Sequence, residues 1–230
     1  MLASGGGSNL QALLDHLDAL GERRAAEVVL VASDRADAGA LQRARDRRIE
    51  TQLVQTRATP DRMPLDTVLD PARVDLVVLA GYLKLVPADV VRAFRGRMLN
   101  VHPGLLPAFG GPGLYGHRVH EAVLAAGAAL SGPTVHFVDE LFDHGPMVAQ
   151  WPVPVLDGDT PATLAARVLK AEHLLFPRVI DAVARGVVRL GDDRRVVRPS
   201  HVSSDAHFAL MPGNAGSDVA RAMDRVLAGT

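Results

Sequence analysis

The chain has 230 residues, 48% of them apolar, with a formal net charge of −1, which suits a packed core and argues against nucleic acid or an anionic membrane as the main partner. It has no cysteine, which excludes disulfides, thiolate nucleophiles and cysteine-built metal sites. No apolar run is long enough to span a bilayer, and the start lacks the basic-then-apolar order of a secretory signal, so a cytoplasmic location is expected.

The first element is a glycine-rich turn, Ser4-Gly5-Gly6-Gly7-Ser8-Asn9, leading into a helix with Leu10, Leu13, Leu14, Leu17 and Leu20 on one face. Ser8 with Gln11 three residues on predicts a capping box with Ser8 as N-cap. Such a turn presents backbone N–H groups to an anion. The spacing is neither a Walker loop nor a dinucleotide fingerprint, so a phosphomonoester is the expected ligand. An α/β domain should open on a buried strand. Only three residues precede Ser4, so that strand is very short or the start is trimmed, which threatens backbone pairing in the core.

Further on, residues 28–32, 52–55, 74–80 and 98–101 read as strands and residues 36–47 and 87–94 as helices. The near-continuous apolar run at 74–80 suits a parallel strand covered on both faces. Residues 134–138 and 147–155 read as later strands and 160–184 as a long closing helix. The alternation predicts an α/β, Rossmann-like, mostly parallel twisted sheet flanked by helices. The expected domain covers residues 1–193, its N-terminal half binding the nucleotide. Residues 194–230, rich in Ser, Asp, Gly and Pro with one short helix at 217–227, read as a tail of unknown role.

Candidate chemistry lies at the end of the fourth strand. Asn100 and His102 are two apart and so face one side of it, at the carboxyl end of the sheet, where open α/β folds bind ligands. Pro103 keeps His102 extended. A polar loop at 139–146 could bring Asp143 against His102. An amide, a histidine and a carboxylate suit acyl transfer to an amine. Asn100 and protonated His102 would stabilise an oxyanion, with Asp143 favouring the charged imidazole. A metal held by His102, His136 and Asp143 is the weaker alternative, since no zincin spacing is present.

Several segments recur together in one order: residues 5–11 (GGGSNLQ), 79–82 (LAGY), 100–107 (NVHPGLLP), 134–138 (TVHFV), 143–146 (DHGP) and 171–173 (AEH). In these the chain resembles the folate-dependent formyltransferases, and within them the glycinamide ribonucleotide branch, over residues 4–190. The resemblance implies formyl transfer from 10-formyltetrahydrofolate as cosubstrate to the amine of glycinamide ribonucleotide, in purine biosynthesis. It implies no tightly bound cofactor or metal, no nucleic acid or membrane partner, and a monomer or homodimer. Asn100, His102 and Asp143 fall on catalytic positions. Gly7, Ser8 and Asn9 fall on the phosphate loop, with Glu172 near the ribose and phosphate. Leu83, Lys84, Leu85 and Val86, with Asn100, fall on the folate wall, and Arg62 on a substrate-contacting arginine. His136 and His120 fall on site-lining positions. The sequence departs from the family at residues 109–116 (FGGPGLYG), which are longer and richer in glycine, at His144 where glycine is usual, and at Leu169 where some members carry a basic residue, with Lys170 and Arg167 beside it. A formyl-tetrahydrofolate hydrolase and an inactive folate- or nucleotide-binding module are the alternatives. A formyltransferase acting on a sugar nucleotide or methionyl-tRNA is a weaker one.

Overall fold

The computed structural model describes residues 1–55, 59–70 and 73–198. In chain order the elements are α1 (Ser8–Leu20), β1 (Leu30–Ser33), α2 (Gly39–Asp46), β2 (Glu50–Leu53), α3 (Leu65–Val68), β3 (Val77–Ala80), α4 (Ala88–Ala93), β4 (Met98–His102), α5 (His117–Ala125), β5 (Leu130–Ser131), β6 (Thr134–Phe137), β7 (Met147–Gln150), β8 (Val153–Pro154), α6 (Pro161–Ala184), β9 (Arg189–Leu190) and β10 (Val196–Val197).

β1 pairs with β2 and β3 with β4, both parallel; β6 runs antiparallel to β4, and β7 antiparallel to β6. Leu2 joins the two groups, bridging Ala32 of β1 and Leu79 of β3 in parallel register. Its N–H donates to Val78 O and its carbonyl accepts from Ala80 N, while Ala3 N–H donates to Ala32 O and Ala32 N–H to Met1 O. The very short first strand expected from the sequence is therefore present in the centre of the sheet. Leu2 and Ala3 are fully buried there, and backbone pairing continues through them.

Each face of the sheet is covered. On one side Val78, Leu99, Val101, Val135 and Phe137 pack with Leu13 and Leu17 of α1 and Leu175, Phe176 and Val179 of α6. On the other, Leu2, Leu30, Val77, Leu79 and Met98 pack with Leu65 and Val68 of α3, Val90 and Val91 of α4, and Phe94 just past it. Burial on both faces accounts for the unbroken apolar run of β3.

Three expectations need correction. Gly7, not Ser8, is the N-cap of α1, in a left-handed conformation (φ 75) and with no side-chain cap. A Cβ at that position would lie 2.6 Å from the Ala40 Cα, so both the dihedral and the close approach of α2 demand glycine. Gln11 turns instead to Asp15 and Arg43. The strand expected at 147–155 is broken at Trp151-Pro152: β7 pairs with β6, and β8 turns away to pair with β5. Proline has no N–H for a ladder, so pairing stops there. Finally, the β9–β10 hairpin spans the expected boundary at 193/194, with Val196 opposite Leu190. Arg198 donates to the carbonyls of Met147 and Val148 along β7. Residues up to 198 thus pack with the sheet; the rest of the expected tail, including its short helix at 217–227, lies outside the described residues.

Candidate active site

β4 ends in the candidate residues. Asn100 and His102 stand on the same side of it, as the period of two requires. β6 is its neighbour, with Asn100 opposite His136. A bulge after Val135 shifts the pairing so that His136 lies opposite Met147, a device that re-aims a side chain at the edge of a site. The loop after β6 carries Asp143, in a left-handed conformation (φ 53).

Asn100, His102, His136 and Asp143 come together. Nδ1 of His102 lies 3.5 Å from Oδ2 of Asp143. Nε2 of His102 is 2.6 Å from the carbonyl of Phe109. A carbonyl only accepts, so Nε2 carries a proton. The amide nitrogen of Asn100 is 3.0 Å from Nε2 of His136 and 3.4 Å from Oδ1 of Asp143. The carboxylate beside it fixes that amide with nitrogen, not oxygen, facing inward. His136 then accepts at Nε2 and donates from Nδ1 to Phe137 O (2.9 Å), which orients the Asn100 amide. The N–H of Gly111 donates to Oδ2 of Asp143 at 3.0 Å. Burial acts to raise the Asp143 carboxyl, but His102, then His136 (Nε2 at 3.7 Å) and the Gly111 N–H, outweigh it and hold the group well below the usual carboxylate range. No group of three or more His, Asp or Glu among the described residues is arranged to hold a metal.

A cavity of about 210 Å³ opens beside these residues. Leu83, Lys84, Leu85 and Val86 form one wall, and Asn100, His102, His136 and Asp143 the floor. Residues 111–116, from the glycine-rich segment, form another wall with Leu141 and Phe142. The sequence marked residues 109–116 only as a departure, whereas the structure places them against both His102 and Asp143. Three glycines of this segment, Gly111, Gly113 and Gly116, have positive φ, and its density of glycines was the signal available in the sequence. Tyr82, which ends the 79–82 segment, and Tyr115 of the glycine-rich segment also line the cavity; the sequence assigned neither a role of its own.

The glycine-rich turn lies at the start of α1, beside α6. Asn9 donates from Nδ2 to Oε2 of Glu172 at 2.7 Å. Glu172 is buried, and burial raises its carboxyl above the usual range, against the pull of Asn9 and His102. Asn9 Oδ1 is enclosed without a partner. Gly7 and Ser8 stand at the helix start itself. Arg43 of α2, which the sequence did not single out, donates to Gly6 O and to Gln11. Arg167 is paired with Asp159 at 2.7 Å and Lys170 is exposed, whereas Arg43 is in direct contact with the turn. His120, in the first turn of α5, is buried with Nδ1 unpartnered. Burial first, then His117 and His102, push its pKa down to about 4. It stands behind the Asn100, His102 and Asp143 cluster and does not line the cavity. Arg62 is also away from the cavity, donating to Asp34 O.

A doubly covered α/β sheet with an Asn–His–Asp cluster at the carboxyl end of β4 defines a class: residues 1–180 match the formyl transferase family, and the chain belongs to it. A chloroplastic phosphoribosylglycinamide formyltransferase of Vigna unguiculata is 43% identical over 187 residues, covering 80% of this chain and 59% of the relative, so the chain spans about three fifths of that protein. The solved glycinamide ribonucleotide transformylase 1 of Symbiobacterium toebii is 40% identical, with a TM-score of 0.74 over 85% of this chain and 90% of its own. The phosphoribosylglycinamide formyltransferase of Anaplasma phagocytophilum is 33% identical, with a TM-score of 0.76 over 88% and 93%. No helix of the described residues is long and apolar enough to cross a membrane.

Proposed function

We propose that the chain transfers the formyl group of 10-formyltetrahydrofolate to the amine of glycinamide ribonucleotide, in the cytoplasm and as a step of purine biosynthesis. The observation that carries this reading is the convergence of Asn100, His102 and Asp143 between an apolar cavity on one side and the Gly5–Asn9 turn with Glu172 on the other. The cavity suits the flat pterin of the folate, against Leu83, Leu85 and Val86 and their backbone. The turn, with Arg43 behind it, suits the phosphate of the ribonucleotide. Glu172 and Asn9 offer an acceptor and a carbonyl to ribose hydroxyls.

The chemistry follows from these positions. The acceptor amine attacks the formyl carbon, a C–N bond forms and the carbonyl oxygen becomes an oxyanion. The Asn100 amide and the His102 imidazolium stabilise that charge, which exists only in the intermediate and its flanking transition states. Loading substrate requires the Phe109 carbonyl to release His102. Asp143 keeps the imidazole charged and relays the proton lost by the amine. Collapse breaks the bond to N10 of the folate, which takes up a proton as it leaves. The only cofactor-like ligand this sequence calls for is the folate cosubstrate.

The test follows loss of formyl-folate by the purified chain with and without glycinamide ribonucleotide. Loss that requires the ribonucleotide supports the transferase. Loss without it would establish a hydrolase instead, and no loss from a folded protein would overturn both.

A further inference from the structure

Asp143 lies in the left-handed region (φ 53), uncommon for a residue other than glycine though less so for Asp. Its loop has little packing of its own, since Leu141 and Phe142 at the tip are exposed. Besides the contacts on the Asp143 carboxylate itself, the loop is restrained by Asp139. One carboxylate oxygen, Oδ1, accepts from the N–H of Leu141 at 3.0 Å. The other, Oδ2, accepts from Nδ1 of His144 at 2.8 Å and from Nη2 of Arg194 at 3.2 Å. Leu141 precedes Asp143 and His144 follows it, so one side chain grips the loop on both sides of the catalytic position. The Asp139 side chain is only 17% exposed, whereas His144 and Arg194 are more than 60% exposed. Arg194 comes from the turn of the β9–β10 hairpin, 55 residues further along the chain.

We propose that Asp139 is the positioning residue for Asp143, and that Arg194 and His144 hold Asp139 in that role, making the C-terminal hairpin part of the formyl-transfer apparatus. The proposal rests on the formyl-transfer reading, in which Asp143 must face His102. Solvent-exposed ion pairs add little to global stability. Their effect here is on placement, and a misplacement of about 1 Å in a reacting group can cost about 100-fold in rate. His144, an irregularity in the sequence, thereby gains a use as the donor that closes the loop behind Asp143.

Arg194 does not line the cavity, so its variants separate positioning from substrate contact. In the full chain, Arg194→Ala and Asp139→Asn are each expected to lower kcat on the order of tenfold while leaving KM for the ribonucleotide within about twofold. The double variant should be no slower than Asp139→Asn alone, because both act through one carboxylate. Arg194→Lys should recover most of the loss. Hydrogen exchange at the amides of residues 141–145 supplies a readout independent of turnover, and it should quicken about tenfold in both single variants. Unchanged kcat in an otherwise active enzyme would overturn the proposal and leave the transferase standing. If the native chain transfers no formyl group, unchanged exchange in the variants overturns the loop restraint by itself.

Discussion

The carbonyl of Phe109 accepts a hydrogen bond from Nε2 of His102 at 2.6 Å, which leaves Nδ1 as the ring nitrogen that faces Asp143. A main-chain atom from the glycine-rich segment thus sets how the histidine is protonated and turned. The next N–H but one, that of Gly111, holds the carboxylate. A single short segment grips both partners by its backbone alone.

Gly110 lies between those two contacts. A Cβ there would sit 2.2 Å from Leu106 Cδ2 and 3.1 Å from Asp143 Cβ. Gly110→Ala is expected to push the segment off Asp143 and to lower kcat by about 10- to 100-fold. The circular dichroism spectrum should stay native. Full activity in this variant would show that the segment does not set the geometry.

His102→Ala should lower kcat by about 100-fold or more with little change in KM, because the lost interaction belongs to the transition state. Asp143→Asn should follow the same pattern, since it removes the charge that favours the imidazolium. Steady-state kinetics with both substrates varied checks this. A rise in KM at constant kcat would assign these side chains to binding alone.

Glu172→Gln should divide stability from activity. Burial raises the Glu172 carboxyl, so the folded state favours its neutral form. Its stabilising contribution is complete below the unfolded pKa, about 4.3 for glutamate, and is lost as pH rises through the folded value. The variant should therefore melt higher than the native chain at pH 8, on the order of 2–4 °C for each kcal/mol relieved. The advantage should vanish near pH 4. Turnover should fall, because the amide replaces the carboxylate acceptor offered to the ribonucleotide. Melting curves at the two pH values decide, and an equal gain at both would remove the charge from the explanation.

His120 predicts the opposite limb. Its pKa is pushed down to about 4, first by burial. A lowered histidine contributes stability that is present above its unfolded pKa, about 6.5, and lost as pH falls through the folded value. The melting temperature of the native chain should drop between pH 6.5 and about 4, and His120→Gln should flatten that slope. Parallel curves for the two proteins would mean that other groups carry the acid sensitivity.

Legibility followed the range of the interactions. Asn100 and His102 were readable because two residues apart on a strand share a face, and Pro103 fixed the local backbone. The helical periodicity of α1 and the apolar run of β3 were readable for the same local reason. The N-cap was misplaced because the capping-box pattern at Ser8 competes with a close approach of Ala40 to Gly7, far along the chain and invisible to local rules. The cavity wall at residues 111–116 and the grip of Asp139 on its loop depend on contacts between loops, where no periodicity exists to announce them. Arg62 and His120 were named through the resemblance alone, and the structure leaves both off the cavity.

Leu2 is the point where the two halves of the sheet meet. The strand it belongs to runs on into Ser4, whose N–H donates to Gly81 O and whose Oγ accepts from the N–H of Leu83. The Gly5–Asn9 turn and the Leu83–Val86 wall therefore both start from one seam, Leu2 to Ser4. A slip of a single residue in that seam would leave Asn100, His102 and Asp143 intact and still shift the turn against the wall, which the formyl-transfer reading needs in register.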